Sequence, residues 1–428
     1  MQENRYDVII VGGGPAGCSL AARLAVSGMR ILVLEKDALP ERTVISCSLF
    51  LASGMRLMDE IGISEVQYTA GNPKLAGAVL EMAGYFKTFV TMPEVGGRNY
   101  LYGIRRELLD NALWNHLQQF PNVTAIDQFS VTDINNDEKG SVKIISGTKK
   151  GAGNIQFFAN AVIGADGRNS IVARKMKAPV IKEEKKLITT VYYAYWENVA
   201  PYKTGGKEWV HIHSGCNGFS TVVMPAGRRR TGVLVQCRHD YFKADEGADA
   251  WYLQTLSTFP SVNERLKNAR RVTPLKGIKN VSNLFRKAFG PGWVLVGDAY
   301  HQKDSYDAQG IYDALTGAKM LSGYLIAWYQ KKGEWDALMQ QYESEIYRIA
   351  APMFKSTMER LKRELFTIPP PFVAKTLMRW MLTSPLYKNR FARLISRQVA
   401  PDKWAPPSVV LRSIVTGALR DLTGKRKE

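Results

Sequence analysis

Few folds are open to a chain that begins a strand, turns on three glycines and enters a helix within its first 20 residues. The run Tyr6-Asp7-Val8-Ile9-Ile10-Val11 is rich in β-branched residues and reads as a buried strand. Gly12-Gly13-Gly14-Pro15-Ala16-Gly17 follows at once, then a helical stretch from Cys18 to Ser27 that Gly28 ends. Arg30-Ile31-Leu32-Val33-Leu34 is a second strand with Glu35 at its end. Gly12 permits a tight turn, Gly14 lets the backbone approach a pyrophosphate, and Gly17 lets the helix pack close to the strand. Pro15 and Ala16 belong to the same turn, and the N-terminal N–H groups of the helix after it face the phosphates. Glu35 is placed to accept hydrogen bonds from an adenosine ribose, with Lys36 beside it. A dinucleotide is the expected ligand.

Two further strands run into glycine turns far along the chain. Ala161-Val162-Ile163-Gly164-Ala165 leads to Asp166-Gly167, and Trp293-Val294-Leu295-Val296 leads to Gly297-Asp298. Such spacing predicts a nucleotide domain assembled from separated pieces. Between them, residues 187–237 alternate in the manner of a mainly antiparallel sheet. Arg105-Arg106 opens an amphipathic helix with Leu109, Leu113 and Leu117 on one face. Helices are expected over 310–329 and 335–365, the latter broken at most near Pro352 and stopped by Pro369-Pro370-Pro371.

The chain has 428 residues, and its 58 Lys plus Arg against 39 Asp plus Glu give a net charge of +19. A balance this basic points to an anionic partner: nucleic acid, a membrane surface, or an acidic substrate or cofactor. Residues 355–428 hold 16 Lys plus Arg and 5 Asp plus Glu, more than half of the excess. Apolar residues are mixed among them, which suits contact with anionic lipid or an acidic carrier protein. The alternative is a set of helices packed on the body with their cations in water. Nucleic acid is not expected, because the aromatics form no recognisable binding module. Cys18, Cys47, Cys216 and Cys237 show no CxxC spacing, so neither a disulfide framework nor a paired-cysteine zinc site is expected. The N-terminus lacks signal-peptide order and no apolar run reaches 18 residues, so a cytoplasmic protein is expected.

Taken in order, these motifs resemble those of the FAD-dependent oxidoreductases that include the class A flavoprotein monooxygenases (aromatic hydroxylases). The glycine turn ending in Glu35 is one signature. Gly164-Ala165-Asp166-Gly167-Arg168 matches the DG motif, and Gly297-Asp298-Ala299 with Gln309-Gly310-Ile311 matches the GD motif and the helix start after it. The resemblance covers roughly residues 5–330. It implies an α/β fold in which a Rossmann-like FAD domain (1–75, 100–178 and 280–330) is interrupted by a mainly antiparallel sheet domain (76–99 and 179–279). A C-terminal helical region (331–428) follows.

By the same resemblance, Gly12, Gly14, Gly17 and Glu35 would hold the ADP half of FAD, and Arg106, with Arg105 as the alternative, would reach its phosphates. Asp166 and Gly167 would lie near the pyrophosphate, Gly297 and Asp298 near the flavin's ribityl or phosphate portion, and Gly310 and Ile311 at the flavin ring. Asp166 and Asp298 could instead cap turns. The implied reaction is monooxygenation of a small, possibly carrier-bound, organic substrate, with NAD(P)H as electron donor and oxygen activated as a flavin hydroperoxide. His301 and Asp304 are the candidates for proton handling, within a loop that also carries Lys303 and Asp307.

The loop departs from the hydroxylase pattern: it holds no proline, and Tyr312 stands where asparagine is common. A reductase of the geranylgeranyl-reductase type is the runner-up. Halogenation ranks below it, because no WxWxIP motif is found. His211 and His213 share a strand face, but no acidic or cysteine partner at metal-ligand spacing accompanies them, and no metal is expected.

Overall fold

The computed structural model describes residues 4–39, 47–137, 142–243 and 247–423. Its first sheet runs in the order Phe289–Gly290, Trp293–Leu295, Gly153–Gly164, Arg5–Val11, Ile31–Leu34, Val123–Ile126. All neighbours in this path but the first pair are parallel. Strands buried on both faces should be continuously apolar, and Val8, Ile9, Ile10, Ile31, Leu32 and Val33 are fully buried. The helix Pro15–Ala25 lies against the helix Gly310–Tyr329. On the helix Arg106–His116 the expected stripe is seen: Leu109 and Leu113 are buried, as is Leu117 just after it.

The second sheet is larger and mainly antiparallel, in the order Arg270–Arg271, Thr189–Glu197, Arg230–Arg238, Phe219–Pro225, Lys207–Ser214, Leu75–Met82, Leu101–Arg105, Cys47–Leu51. One parallel pair joins Lys207–Ser214 to Leu75–Met82. Cys47–Leu51 and Leu101–Arg105 pair with each other at its edge, so the two sheets divide the chain differently from the expected boundaries at these points. Strand Leu101–Arg105 runs directly into helix Arg106–His116, so Arg106 sits where the two layers meet.

Helices fall close to expectation, over Gly310–Tyr329 and Trp335–Leu361, with a wider turn over Lys362–Phe366. Pro352 stays inside the second of these. Beyond Pro371, the helices Pro385–Ile395 and Pro407–Leu422 follow. Tyr387, Leu394 and Trp404 form a small core of their own with Met353.

Among the described glycines, Gly17 is the one whose added Cβ would come nearest to main chain. A Cβ there would lie 1.9 Å from the Gly12 carbonyl oxygen, an atom that cannot swing aside. Gly17→Ala is expected to destabilise the chain by about 1–3 kcal/mol. Gly323→Ala, in open space on a helix, is expected to stabilise it by roughly 0.5–1 kcal/mol. Denaturant unfolding of the two variants checks both signs.

Candidate functional site

The three glycine turns lie at the C-terminal ends of adjacent parallel strands, where open α/β sheets bind ligands. Ala165 N–H donates to Val11 O at 2.8 Å and Val296 N–H to Gly164 O at 2.9 Å, which aligns the strand ends. Gly12 has φ +108°, and a Cβ on it would meet Ala165 O at 2.4 Å, so the first turn passes directly under the second. Gly297, at φ +64°, brings the third turn within 3.1 Å of the Ala16 Cβ by the same measure.

A cavity of about 590 Å³ opens at this point. Gly14, Pro15, Ala16, Lys36, Arg106, Asp166, Gly167, Asp298, Gly310 and Ile311 all line it. Gly12, Gly17, Glu35 and Gly297 are not on its wall. Glu35 is buried, and its carboxylate accepts from Gly13 N–H at 2.8 Å and Asp37 N–H at 3.0 Å, fixing the glycine turn itself. Residues present here fit FAD. A side-chain-free cradle and two helix N-termini, at Pro15 and Gly310, face the cavity, and such termini favour anionic groups. Nothing lies within 4 Å of where a Gly310 Cβ would be.

Asp166 does cap a helix. Its carboxylate accepts from Ser170 Oγ and Ile171 N–H, each at 2.6 Å, and from Val172 N–H at 3.2 Å. Burial pushes its carboxyl upward against those bonds. Asp298 is partly exposed and pairs with Arg168 Nε at 3.3 Å. Arg168 also donates to Lys303 O at 2.7 Å and Ser282 O at 3.2 Å, binding the second turn to the loop after the third. Arg106 forks onto Asp110 at 3.1–3.2 Å.

The loop expected at the flavin ring is buried rather than a charged surface segment. Lys303 Nζ lies 2.8 Å from Asp307 and 3.2 Å from Asp313. Thr357 Oγ1 donates to Asp307, and Arg397 Nη2 reaches Asp313 at 2.5 Å from the far end of the chain. Burial would raise the Asp313 carboxyl, but Lys303, Arg397 and His301 hold it well below the usual carboxylate range. His301 stacks on Phe285 at 5.2 Å and its Nε2 lies 3.9 Å from Asp313. Asp304 takes hydrogen bonds from Thr189 Oγ1, Gln236 Nε2 and Tyr306 N–H. Burial nonetheless pushes its carboxyl up. Both His301 and Asp304 line the cavity.

The remaining wall is largely apolar. Leu80, Met92, Ile212, Val222 and Met224 come from the second sheet, and Met378, Met381, Leu382 and Phe391 from the C-terminal helices. The C-terminal region therefore closes the site. Its contribution escaped sequence reasoning, because Arg397 stands 84 residues from Asp313 with no local signal.

His211 and His213 do have an acidic companion. Glu81 comes from the neighbouring parallel strand, directly opposite His213. Sequence spacing could not show this, because the pairing joins residues 130 positions apart. Arg265 Nη1 donates to His211 Nδ1 at 3.2 Å, so His211 Nε2 carries its proton and gives it to Glu81 at 2.9 Å. Both His211 nitrogens are thereby engaged, and the group is built as a hydrogen-bonded network.

Asp313→Asn removes a buried charge facing Lys303 and Arg397, and is expected to cost about 3–5 kcal/mol near neutral pH. Because the folded state lowers this carboxyl, its contribution is present above the ordinary carboxylate range and fades as pH falls through the folded value. Unfolding free energies of wild type and variant should therefore converge in acid.

The FAD binding domain family matches residues 5–357. A 1H-pyrrole-2-carbonyl-[peptidyl-carrier protein] chlorinase of Pseudomonas fluorescens is 26% identical, over 76% of this chain and 77% of its own. Kynurenine 3-monooxygenase of Anopheles gambiae is 24% identical, over 73% and 65%. The solved structure of a flavin-dependent brominase superposes with a TM-score of 0.76 at 19% identity, covering 99% of this chain and 100% of that one. Halogenases thus stand closer to this chain than the missing WxWxIP motif implied. The turns, the cradle and these matches lead to one conclusion: the chain belongs to the FAD binding domain family and is an FAD-dependent oxidoreductase of the class A flavoprotein monooxygenase-like group.

Proposed function

We propose that this chain is an FAD-dependent monooxygenase that takes electrons from NAD(P)H and transfers oxygen to an apolar organic substrate, free or carrier-bound. The observation that carries the reading is a cavity lined both by FAD-motif residues and by apolar side chains. Gly14, Pro15, Ala16 and Arg106 would hold the phosphates, and the Gly310–Ile311 helix start would hold the ring. FAD, when bound, supplies the electron transfer and the oxygen activation. Leu80, Met92, Met224, Met381 and Leu382 keep water from the reacting end. Asp304, whose Oδ2 accepts from Thr189 Oγ1, is the group that would hold and release a proton at the cavity wall.

A second reading is halogenation, favoured by the chlorinase and brominase relatives. Oxygenation ranks first because the sequence holds no WxWxIP motif. The peptidyl-carrier-bound substrate named for the chlorinase supports a carrier-bound substrate here.

One assay separates the readings. The FAD-loaded chain is given NADH or NADPH, oxygen, bromide and a panel of free and carrier-bound aromatic and polyene acids. Oxygen-dependent turnover with a mass gain of one oxygen atom is expected. A brominated product selects halogenation, and anaerobic reduction of the substrate selects a reductase. Asp304→Asn is expected to lower kcat by about 10²-fold with KM little changed. Because the folded state raises this carboxyl, the wild-type rate should fall as pH rises through the raised value, and the variant should lack that limb.

A further inference from the structure

We propose that the C-terminal helices dock this protein on an anionic lipid bilayer, through an apolar stripe on the helix Pro407–Leu422. The inference goes beyond the proposed reaction and does not depend on it. Among the described residues, thirteen large hydrophobics are exposed, and seven of them fall within residues 368–422. Four make one line: Leu411 at 64% exposure, Val415 at 47%, Leu419 at 54% and Leu422 at 83%. At 100° per residue these positions span about 80° of the helix surface.

The helix packs largely through small and polar residues. Its inner face carries Ser413, Gly417, Arg420 and Asp421, with Val410 against the small core of Tyr387 and Trp404. A Cβ on Gly417 would lie 2.4 Å from the Trp380 Cβ. Trp380 Nε1 donates to Asp421 at 2.7 Å, Arg379 pairs with the same carboxylate, and Arg420 donates to Thr383 Oγ1 at 2.6 Å. This polar latch fixes the helix and leaves its leucines in water, where a soluble protein would turn them inward.

Charge selects the occupant. The exposed Arg412 borders the stripe, Lys375, Arg393 and Lys403 are exposed on neighbouring segments, and Lys425, Arg426 and Lys427 follow in sequence. An apolar stripe set among cations is the pattern that lies in the interface of an anionic bilayer, with the leucines among the acyl chains and the cations at the headgroups. Phe372 and Leu377 add exposed apolar area on the stretch that contributes Met378, Met381 and Leu382 to the cavity wall.

The test is flotation of the full chain with vesicles of phosphatidylcholine alone and of phosphatidylcholine with phosphatidylglycerol, at low and high salt. Binding to the anionic vesicles is expected, weakened at high salt and at least tenfold weaker on neutral ones. The variant L411S/V415S/L419S/L422S is expected to lose at least tenfold in binding while keeping the wild-type Tm and FAD content, since none of the four is packed. No flotation, equal flotation on both vesicle types, or unchanged binding by the variant would overturn the proposal. A wild-type dimer that the variant abolishes, without flotation, would assign the stripe to a second copy instead. Capture by an acidic carrier protein without flotation would assign it to that partner.

Discussion

Backbone touches backbone where Gly17 passes the Gly12 carbonyl, and where Gly12 passes that of Ala165. These two close approaches hold the first helix against its strand and the first turn under the second. No side chain can enter either contact, so the region is reserved for main chain and ligand. Everything downstream inherits that geometry. The N-terminus at Pro15 faces the cavity, Glu35 fixes the turn from behind, and Gly297 brings the third turn onto Ala16.

Around the far end of the cavity the constraint is electrostatic. Lys303, Asp307, Asp313, His301 and Arg397 come from the loop after the third turn, the helix behind it and the C-terminal region. A buried charge is tolerable only when paired, so each of these elements depends on the others being in place. The excess basicity of the C-terminal region consequently has two parts. Arg360, Arg379, Arg390 and Arg397 are spent on internal contacts, whereas Arg412, Lys375, Arg393 and Lys403 remain exposed around the outer helix.

Local patterns carried most of the fold. Glycines at close contacts, apolar strands and proline stops are short-range signals, and Gly12, Gly17, Gly297 and the helices from Gly310 and Trp335 could be read from them. Long-range pairings were not legible. Glu81 meets His211 and His213 only because two strands run parallel, Arg397 meets Asp313 only through tertiary packing, and Cys47–Leu51 joins the second sheet only through Leu101–Arg105. Asp166 was legible twice over, as a motif residue and as a cap, and its hydrogen bonds are those of a cap. The reaction subtype depends on the loop 301–307, whose residues are ordinary in sequence and acquire their character from burial.

FAD is expected to occupy the cavity between the glycine turns and the C-terminal helices. The most direct measurement is the flavin released by denaturing the purified, FAD-reconstituted chain, quantified by absorbance against protein concentration. One FAD per chain is the predicted result. A chain that retains no flavin after reconstitution, while folded by circular dichroism, would contradict the account.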